Sequence, residues 1–400
     1  MERIRLVHGA GCTVWDATGQ AYLDLLAGTW CNVLGYGHPR WIEAVRSQAG
    51  KLTHVGASFS TEEVDAALRK LGEILPPTLN RVTLLNTGSE AVELALKMAH
   101  AATGADKVTV TERGYYGATT YALSLAEAGR SAPHLPHLAS VVRLPAPTCS
   151  QCPTGQTWPC RGFSCLDPLR SVIAEQIPVA AVLYEPVMAV AGVIVPPPGY
   201  GAQLRDLSTR SGAMLIAEEV TTGMGRTGRW FGFMHDGAVP DILVIGKALG
   251  AGLPVAAVVT TQKVEERCRG RVRHVQSHQN DPFSGRIAAA VITILEEEGL
   301  VERAARQGAY FLEKLQEFLE FPSIRETRGQ GLMLGIQLGP DQAQAGSSIA
   351  RSLLEDGFIV DYRPQTATFR LFPPYVITVE EIERFLACFR RAMIRGGKGT

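Results

Sequence analysis

The most constraining feature of this sequence is a set of short central runs that are apolar at every position: Val179–Tyr184, residues 213–217, Ile242–Ile245 and residues 255–259. A strand with one face in water alternates apolar and polar residues, because successive side chains point to opposite faces. Runs without that alternation need cover on both faces, the situation of parallel strands layered between helices. The intervening segments supply such cover. Ser60-Thr61-Glu62-Glu63 offers a capping box, Val64, Leu68, Leu71 and Leu75 follow at helical spacing, and Pro76-Pro77 stops that helix. Arg81–Leu85 and Lys107–Thr111 read as further strands, separated by a helix with Val92, Ala95, Ala99 and Ala102 on one face. The alternation predicts an α/β fold built on a mostly parallel sheet.

Helical spacing returns over residues 284–298 and 301–319. Residues 332–338 and 358–360 and Thr368–Leu371 then read as strands, and residues 378–391 as a closing helix. Four hundred residues exceed one ordinary core. The expected division is a large domain over residues 55–300 and a small α+β domain joining residues 301–400 to an N-terminal segment, residues 1–54.

Lys plus Arg number 39 and Asp plus Glu number 39, so bulk charge attracts neither nucleic acid nor an anionic membrane. Residues 1–11 lack the apolar stretch of a secretory signal. The longest apolar stretch, residues 179–198, holds Glu185, Pro186, Gly192 and three closing prolines, and reads as two buried strands rather than a membrane span. A cytoplasmic enzyme is the expectation.

Three places carry chemistry. Lys247 follows the buried run Ile242–Ile245, where strands of open α/β sheets present ligand sites. Partial desolvation there lowers a lysine pKa and favours Schiff-base chemistry. Gly246 and Gly250-Ala251-Gly252 let backbone approach a ligand closely. Asn86-Thr87-Gly88-Ser89-Glu90 lies between a strand and a helix start, where free amides make an anion cradle. Leu215-Ile216-Ala217-Glu218-Glu219 sets two carboxylates at a strand exit, suited to holding a protonated pyridinium nitrogen. Taken singly, these are equally an exposed lysine, an ordinary N-cap and a surface glutamate. In this order they form a pattern.

Gly223-Met224-Gly225-Arg226-Thr227-Gly228, Pro240-Asp241-Ile242 and Gly246-Lys247-Ala248-Leu249-Gly250-Ala251-Gly252-Leu253-Pro254 resemble the class III (ω-type) aminotransferase family. Leu34-Gly35-Tyr36-Gly37-His38-Pro39, Thr87-Gly88-Ser89-Glu90-Ala91, Gly114-Tyr115-Tyr116-Gly117 and Gly329-Gln330-Gly331-Leu332-Met333 extend the likeness, which runs from about Gly11 to about Arg391. The resemblance implies a fold-type I fold dependent on pyridoxal 5'-phosphate (PLP), working as a homodimer with active sites at the subunit interface. It implies a reaction between an amino acid or amine and an oxo acid. It also implies roles: Lys247 as the Schiff-base lysine and proton carrier, Gly88 and Ser89 as the phosphate cradle, and Tyr115 as the ring-stacking aromatic. Glu218 falls where the family places its pyridine-nitrogen carboxylate, Thr221 beside the cofactor's phenolic oxygen, and Ser277 where a hydroxyl reaches the neighbouring subunit's phosphate. Arg370 matches the arginine that grips a substrate carboxylate, a bidentate task suited to a planar guanidinium.

Four positions depart from the family pattern. Glu218 replaces the usual Asp, Thr221 a Gln or His, Tyr116 a His, and Val190 a Glu that in many members neutralises the carboxylate arginine. Arg370 is therefore expected to stand without a counter-ion unless another acid reaches it, so that both half-reactions use carboxylate-bearing substrates. Residues 34–75 and His278-Gln279-Asn280-Asp281-Pro282 also resemble the dialkylglycine decarboxylase branch of the family, but Thr29 and Val190 replace polar residues there, ranking decarboxylation below transamination. Racemisation or epimerisation on the same fold, and a non-catalytic PLP-binding protein, are the other readings. Cys149, Cys152, Cys160 and Cys165 form a cluster among prolines 147, 153 and 159. It reads as a metal-free loop of thiols or a disulfide, with zinc or an iron–sulfur cluster as the alternative.

Overall fold

The computed structural model describes residues 4–56, 58–127, 140–155, 160 and 162–396. Three N-terminal strands, β1 (Leu6–Ala10), β2 (Thr13–Asp16) and β3 (Ala21–Asp24), form a meander. Seven strands build the central sheet: β4 (Arg81–Leu85), β5 (Lys107–Thr111), β6 (Val141–Leu144), β7 (Val179–Tyr184), β8 (Met214–Glu219), β9 (Ile242–Ile245) and β10 (Ala256–Thr260). Their spatial order is β4-β10-β9-β8-β7-β5-β6, parallel throughout except for β10, which runs against both neighbours. Every residue of β7, β8, β9 and β10 is buried, as runs without alternation require.

The second half of the 179–198 stretch is no strand. It is a turn closed by a single bridge between Met188 and Ile194. The chain goes on to β11 (Ile324–Gln330), β12 (Met333–Leu338), β13 (Phe358–Ile359), β14 (Asp361–Arg363) and β15 (Thr368–Leu371). β13 pairs with β3, so the N-terminal meander is completed by a strand from far along the chain. The others form an antiparallel sheet in the order β11-β12-β15-β14.

Local chemistry sets the helix ends. The helix Gly88–Thr103 starts at Thr87, whose hydroxyl accepts from the Glu90 amide at 3.2 Å, and stops at left-handed Gly104. The helix Glu62–Ile74 is capped by Thr61 rather than Ser60, because the Val64 amide donates to the Thr61 hydroxyl at 3.4 Å. Glu63, freed from the expected capping box, instead meets Lys51 at 2.7 Å.

Two motifs read from the sequence pack against each other. A Cβ on Gly331, at φ +57°, would lie 2.4 Å from the Thr227 carbonyl carbon. The fully buried Arg226 donates to the carbonyls of Leu332 at 3.2 Å and Pro373 at 2.6 Å, with its guanidinium 4.7 Å from the Tyr375 ring. This brace ties the central sheet to β12 and β15. It therefore fixes one wall of the site.

Candidate active site

Strands β4, β5, β7, β8 and β9 deliver their carboxyl ends to one rim of the sheet, the edge at which open α/β sheets take ligands. A cavity of about 1360 Å³ opens there. Lys247, Glu218, Thr221, Gly88, Ser89, Tyr115 and Arg370 all line it. Ser277 does not; it is exposed, on a turn outside the cavity.

Lys247 leaves β9 at φ +42°, a backbone region that side-chain-bearing residues rarely occupy. Its ammonium donates to the Thr221 hydroxyl at 2.7 Å and lies 4.9 Å from the Trp30 ring centre. Burial pushes its pKa down, against the pull of Glu218, Cys31 and Glu185. The neutral amine, the nucleophilic form, is thereby favoured.

Glu218 and Glu219 end β8 and point to opposite sides, as strand neighbours must. Glu218 lines the cavity. Its Oε1 accepts from the Val220 amide at 3.1 Å, so the side chain curls back over the strand end. Glu219 faces away, accepting from the amides of Gly232 at 2.6 Å and Phe233 at 2.8 Å and from the Thr222 hydroxyl at 2.9 Å. It is a loop anchor.

Sequence reasoning passed over Glu185, which follows β7 and lines the same cavity. The signal was the one that exposed Glu218, a carboxylate at the exit of an apolar run. Glu185 accepts from the Tyr115 amide at 2.9 Å and the Ala189 amide at 3.3 Å, and so holds the Tyr115 loop. Burial raises Glu185 to about 8, helped by the Glu218 charge. Burial likewise raises Glu218 to about 7, with Lys247 opposing, and Glu219 to about 7.

These carboxyls predict how cofactor-free protein responds to pH. In the unfolded chain they lose protons near 4.5, whereas in the fold they keep them to about 7 or 8. Folding therefore takes up protons between those limits, and stability falls as pH rises through the window. Urea midpoints of cofactor-free protein should drop from pH 5 to pH 8, and Glu185→Gln should flatten the slope. A midpoint that rises over this range would contradict the buried-carboxyl picture.

The Gly88 and Gly117 turns press together. A Cβ on Gly88 would meet a Val220 methyl at 2.7 Å, and one on Gly117, at φ +132°, would lie 2.9 Å from the Ser89 hydroxyl. That hydroxyl accepts from the Ala118 amide at 3.0 Å. The helix Gly88–Thr103 thus begins at the cavity, with Gly88 and Ser89 in its lining. Tyr116 replaces the family's His as a staple: its hydroxyl donates to the Thr111 carbonyl and accepts from the Thr111 amide, each at 3.0 Å. The loop so fixed leaves Tyr115 at the cavity.

Arg370, on β15, is buried, and it is not alone. Its Nε donates to Oδ2 of Asp361 at 2.5 Å, its Nη2 pairs with the same oxygen, and its Nη1 donates to the Ala189 carbonyl at 3.1 Å. The guanidinium lies 4.8 Å from the Trp30 ring centre. The expectation of an uncompensated arginine is overturned. Val190 offers no charge, but Asp361 stands directly opposite Arg370 in the β14–β15 register.

Cys149, Cys160 and Cys165 are free thiols, while Pro159 lies outside the described residues. Burial and the neighbouring thiols push Cys165 up to about 11 and raise Cys149 as well. The Thr154 and Ser164 hydroxyls meet at 2.6 Å and join the two ends of this loop.

The residues fit PLP. The cavity holds a largely buried amine, a buried carboxylate for a ring nitrogen, an aromatic side chain and a glycine-lined helix start for a phosphate.

The family profile described as aminotransferase class-III matches residues 2–393. The chain is 36% identical to the acetylornithine aminotransferase of Methanopyrus kandleri over 395 residues, covering 98% of this chain and 95% of that one. It is 34% identical to the acetylornithine aminotransferase of Mycobacterium tuberculosis over 386 residues, covering 96% and 90%. Among solved structures, the PLP-bound amine transaminase of an uncultivated Pseudomonas species superposes with a TM-score of 0.92 at 29% identity, covering 99% of this chain and 96% of that one.

Proposed function

The chain belongs to the class III aminotransferase family, and from that premise we propose how its residues divide the work. It is a PLP-dependent aminotransferase that moves an amino group between a carboxylate-bearing donor and a 2-oxo acid. The bound cofactor supplies a ring that accepts negative charge from the carbon losing its proton. Lys247 would hold it covalently. Its Nζ, oriented by the Thr221 hydroxyl at 2.7 Å, would be the base that takes and returns the proton of the substrate carbon. Glu218 would keep a ring nitrogen protonated, and Glu185 holds the loop carrying Tyr115, whose aromatic side chain would pack on the ring. The amides of Gly88 and Ser89 bind the phosphate. The observation that supports this division best is the meeting of a desolvated Lys247 and a buried Glu218 in one cavity at the sheet's carboxyl rim.

Ser277, exposed and outside its own cavity, serves the phosphate of a second copy, so the working unit is a homodimer. Among the described residues no helix is long and apolar enough to cross a membrane, and a cytoplasmic location suits the chain. The relatives named for acetylornithine suggest the donor class: an N-acylated amino acid whose reacting amine stands away from its carboxylate.

Arg370 grips the carboxylate of the 2-oxo acid. Arg370→Ala should raise KM for that substrate and lower kcat/KM by about 2–4 kcal/mol, the scale for removing one partner of a buried charged pair. Steady-state kinetics with 2-oxoglutarate and pyruvate checks this. Unchanged kcat/KM for both would remove Arg370 from the site.

A further inference from the structure

We propose that Arg328 is a positioning residue for this site: it holds a strained turn, residues 188–194, whose Ala189 carbonyl stops the Arg370 guanidinium and whose Val190 walls the cavity. The inference deepens the proposed function and rests on the reading of Arg370 as the carboxylate grip. It begins with the backbone. The turn is closed by paired bonds between Met188 and Ile194 at 2.9 and 3.1 Å. Within it Gly192 stands at φ +102° and Val193 at φ +58°. Glycine takes such a conformation freely, whereas a β-branched residue does not. Val193 is nevertheless buried, packed in one apolar cluster with Trp30, Ala189, Met333 and Phe372. Strain of this kind persists only where the surroundings over-determine it, and it gathers at functional sites.

Here Arg328, on β11, does the over-determining. Its Nε donates to the Gly192 carbonyl at 3.0 Å and to the Val193 carbonyl at 2.9 Å, and its Nη2 to Gly192 at 2.7 Å. Those two carbonyls belong to the peptide groups on either side of Val193, so fixing both fixes its φ and ψ. The guanidinium cannot swing with the turn, because Nη1 donates to Glu326 at 2.7 Å and to Gln337 at 2.8 Å. From Val193 the restraint passes through backbone alone. The Val193 amide donates to the Ala189 carbonyl at 3.3 Å, and the same oxygen accepts from Nη1 of Arg370 at 3.1 Å. Relaxation of Val193 to an ordinary conformation would withdraw its amide and move that oxygen. Val190, next in the chain, faces the cavity, whereas Arg328 lies outside the lining. Arg328 therefore acts on substrate through Arg370 and the turn.

The test uses holoenzyme and follows the half-reaction with 2-oxoglutarate by the absorbance of the bound cofactor. Arg328→Met should raise the saturation constant about 30-fold and leave the maximal rate within about twofold, because Lys247 and Glu218 stand on other strands. In the Arg370→Ala background the same substitution should add less than about twofold, since its effect runs through that arginine. Val193→Gly added to Arg328→Met should return the saturation constant to within about threefold of wild type, as glycine holds φ +58° without help. The melting temperature of that double variant should fall further, because a buried side chain leaves the Trp30 cluster, so affinity and stability part company. If Arg328→Met does not fold, Arg328→Lys should show a rise of about fivefold, its ammonium lacking the fork that spans two carbonyls. Losses that multiply in the Arg370→Ala background, a fall in maximal rate alone, or a glycine that rescues nothing would overturn the proposal. Arg370→Ala with unaltered 2-oxoglutarate saturation would instead overturn the proposed function.

Discussion

Lys247→Ala is expected to fold and to lose amino transfer by about 10⁴-fold or more, because one side chain supplies both the covalent attachment and the proton carrier. The fold should survive, since the ammonium's side-chain hydrogen bond is to Thr221 and its burial already works against the charged form. Removing it also removes the cation that holds Glu218 down, so burial should push that carboxyl higher still. Borohydride reduction of wild-type holoenzyme followed by peptide mapping should place the cofactor on Lys247. A label on any other lysine would sink the assignment, as would a variant with substantial turnover.

Glu218→Gln is expected to keep the cofactor and lower kcat by about 10²–10³-fold, the scale for removing one preorganised charge from a buried site. An amide has the same shape and can still meet the Val220 amide, but it cannot hold a proton on a ring nitrogen by its charge. Cofactor retention, read from the bound chromophore, separates this result from a collapsed pocket. Near-normal turnover would pass the role to another acid, of which Glu185 is the buried neighbour.

Strands β4, β5 and β7 follow the sequence reading residue for residue, because apolar runs closed by turn residues leave little latitude. β8 runs on through Glu218 and Glu219, past the expected end at Ala217. Polar side chains disguised a backbone that was still pairing with β9. The exposed strand β1 and the part-polar β11 and β14 carry no apolar signature and were not foreseen. Within the site, Lys247, Glu218 and Gly88 were legible because each stands at or just past the end of an apolar strand, so linear order already places it at the rim, whereas Tyr115 was legible through the family resemblance. Asp361 was not, because its partner is chosen by cross-strand register. Trp30 escaped for a related reason. It reaches the cavity at φ +68° from the end of the kinked helical turn Ala27–Trp30, which carries no apolar run to mark it.

The lone antiparallel strand also sets an order of assembly. β9 and β10 are a local pair, with Ile245 opposite Ala257, so the segment bearing Lys247 closes over only 12 residues (257 minus 245). β4, at the sheet's edge, hydrogen-bonds to β10 alone, with Leu85 opposite Ala256, a separation of 171 residues (256 minus 85). Closing so long a loop costs entropy that no contact repays until β10 arrives. During synthesis the strand that launches the helix Gly88–Thr103 must therefore wait, unpaired, until the lysine segment has left the ribosome. The residues proposed to hold the cofactor's phosphate are thus made early and seated late.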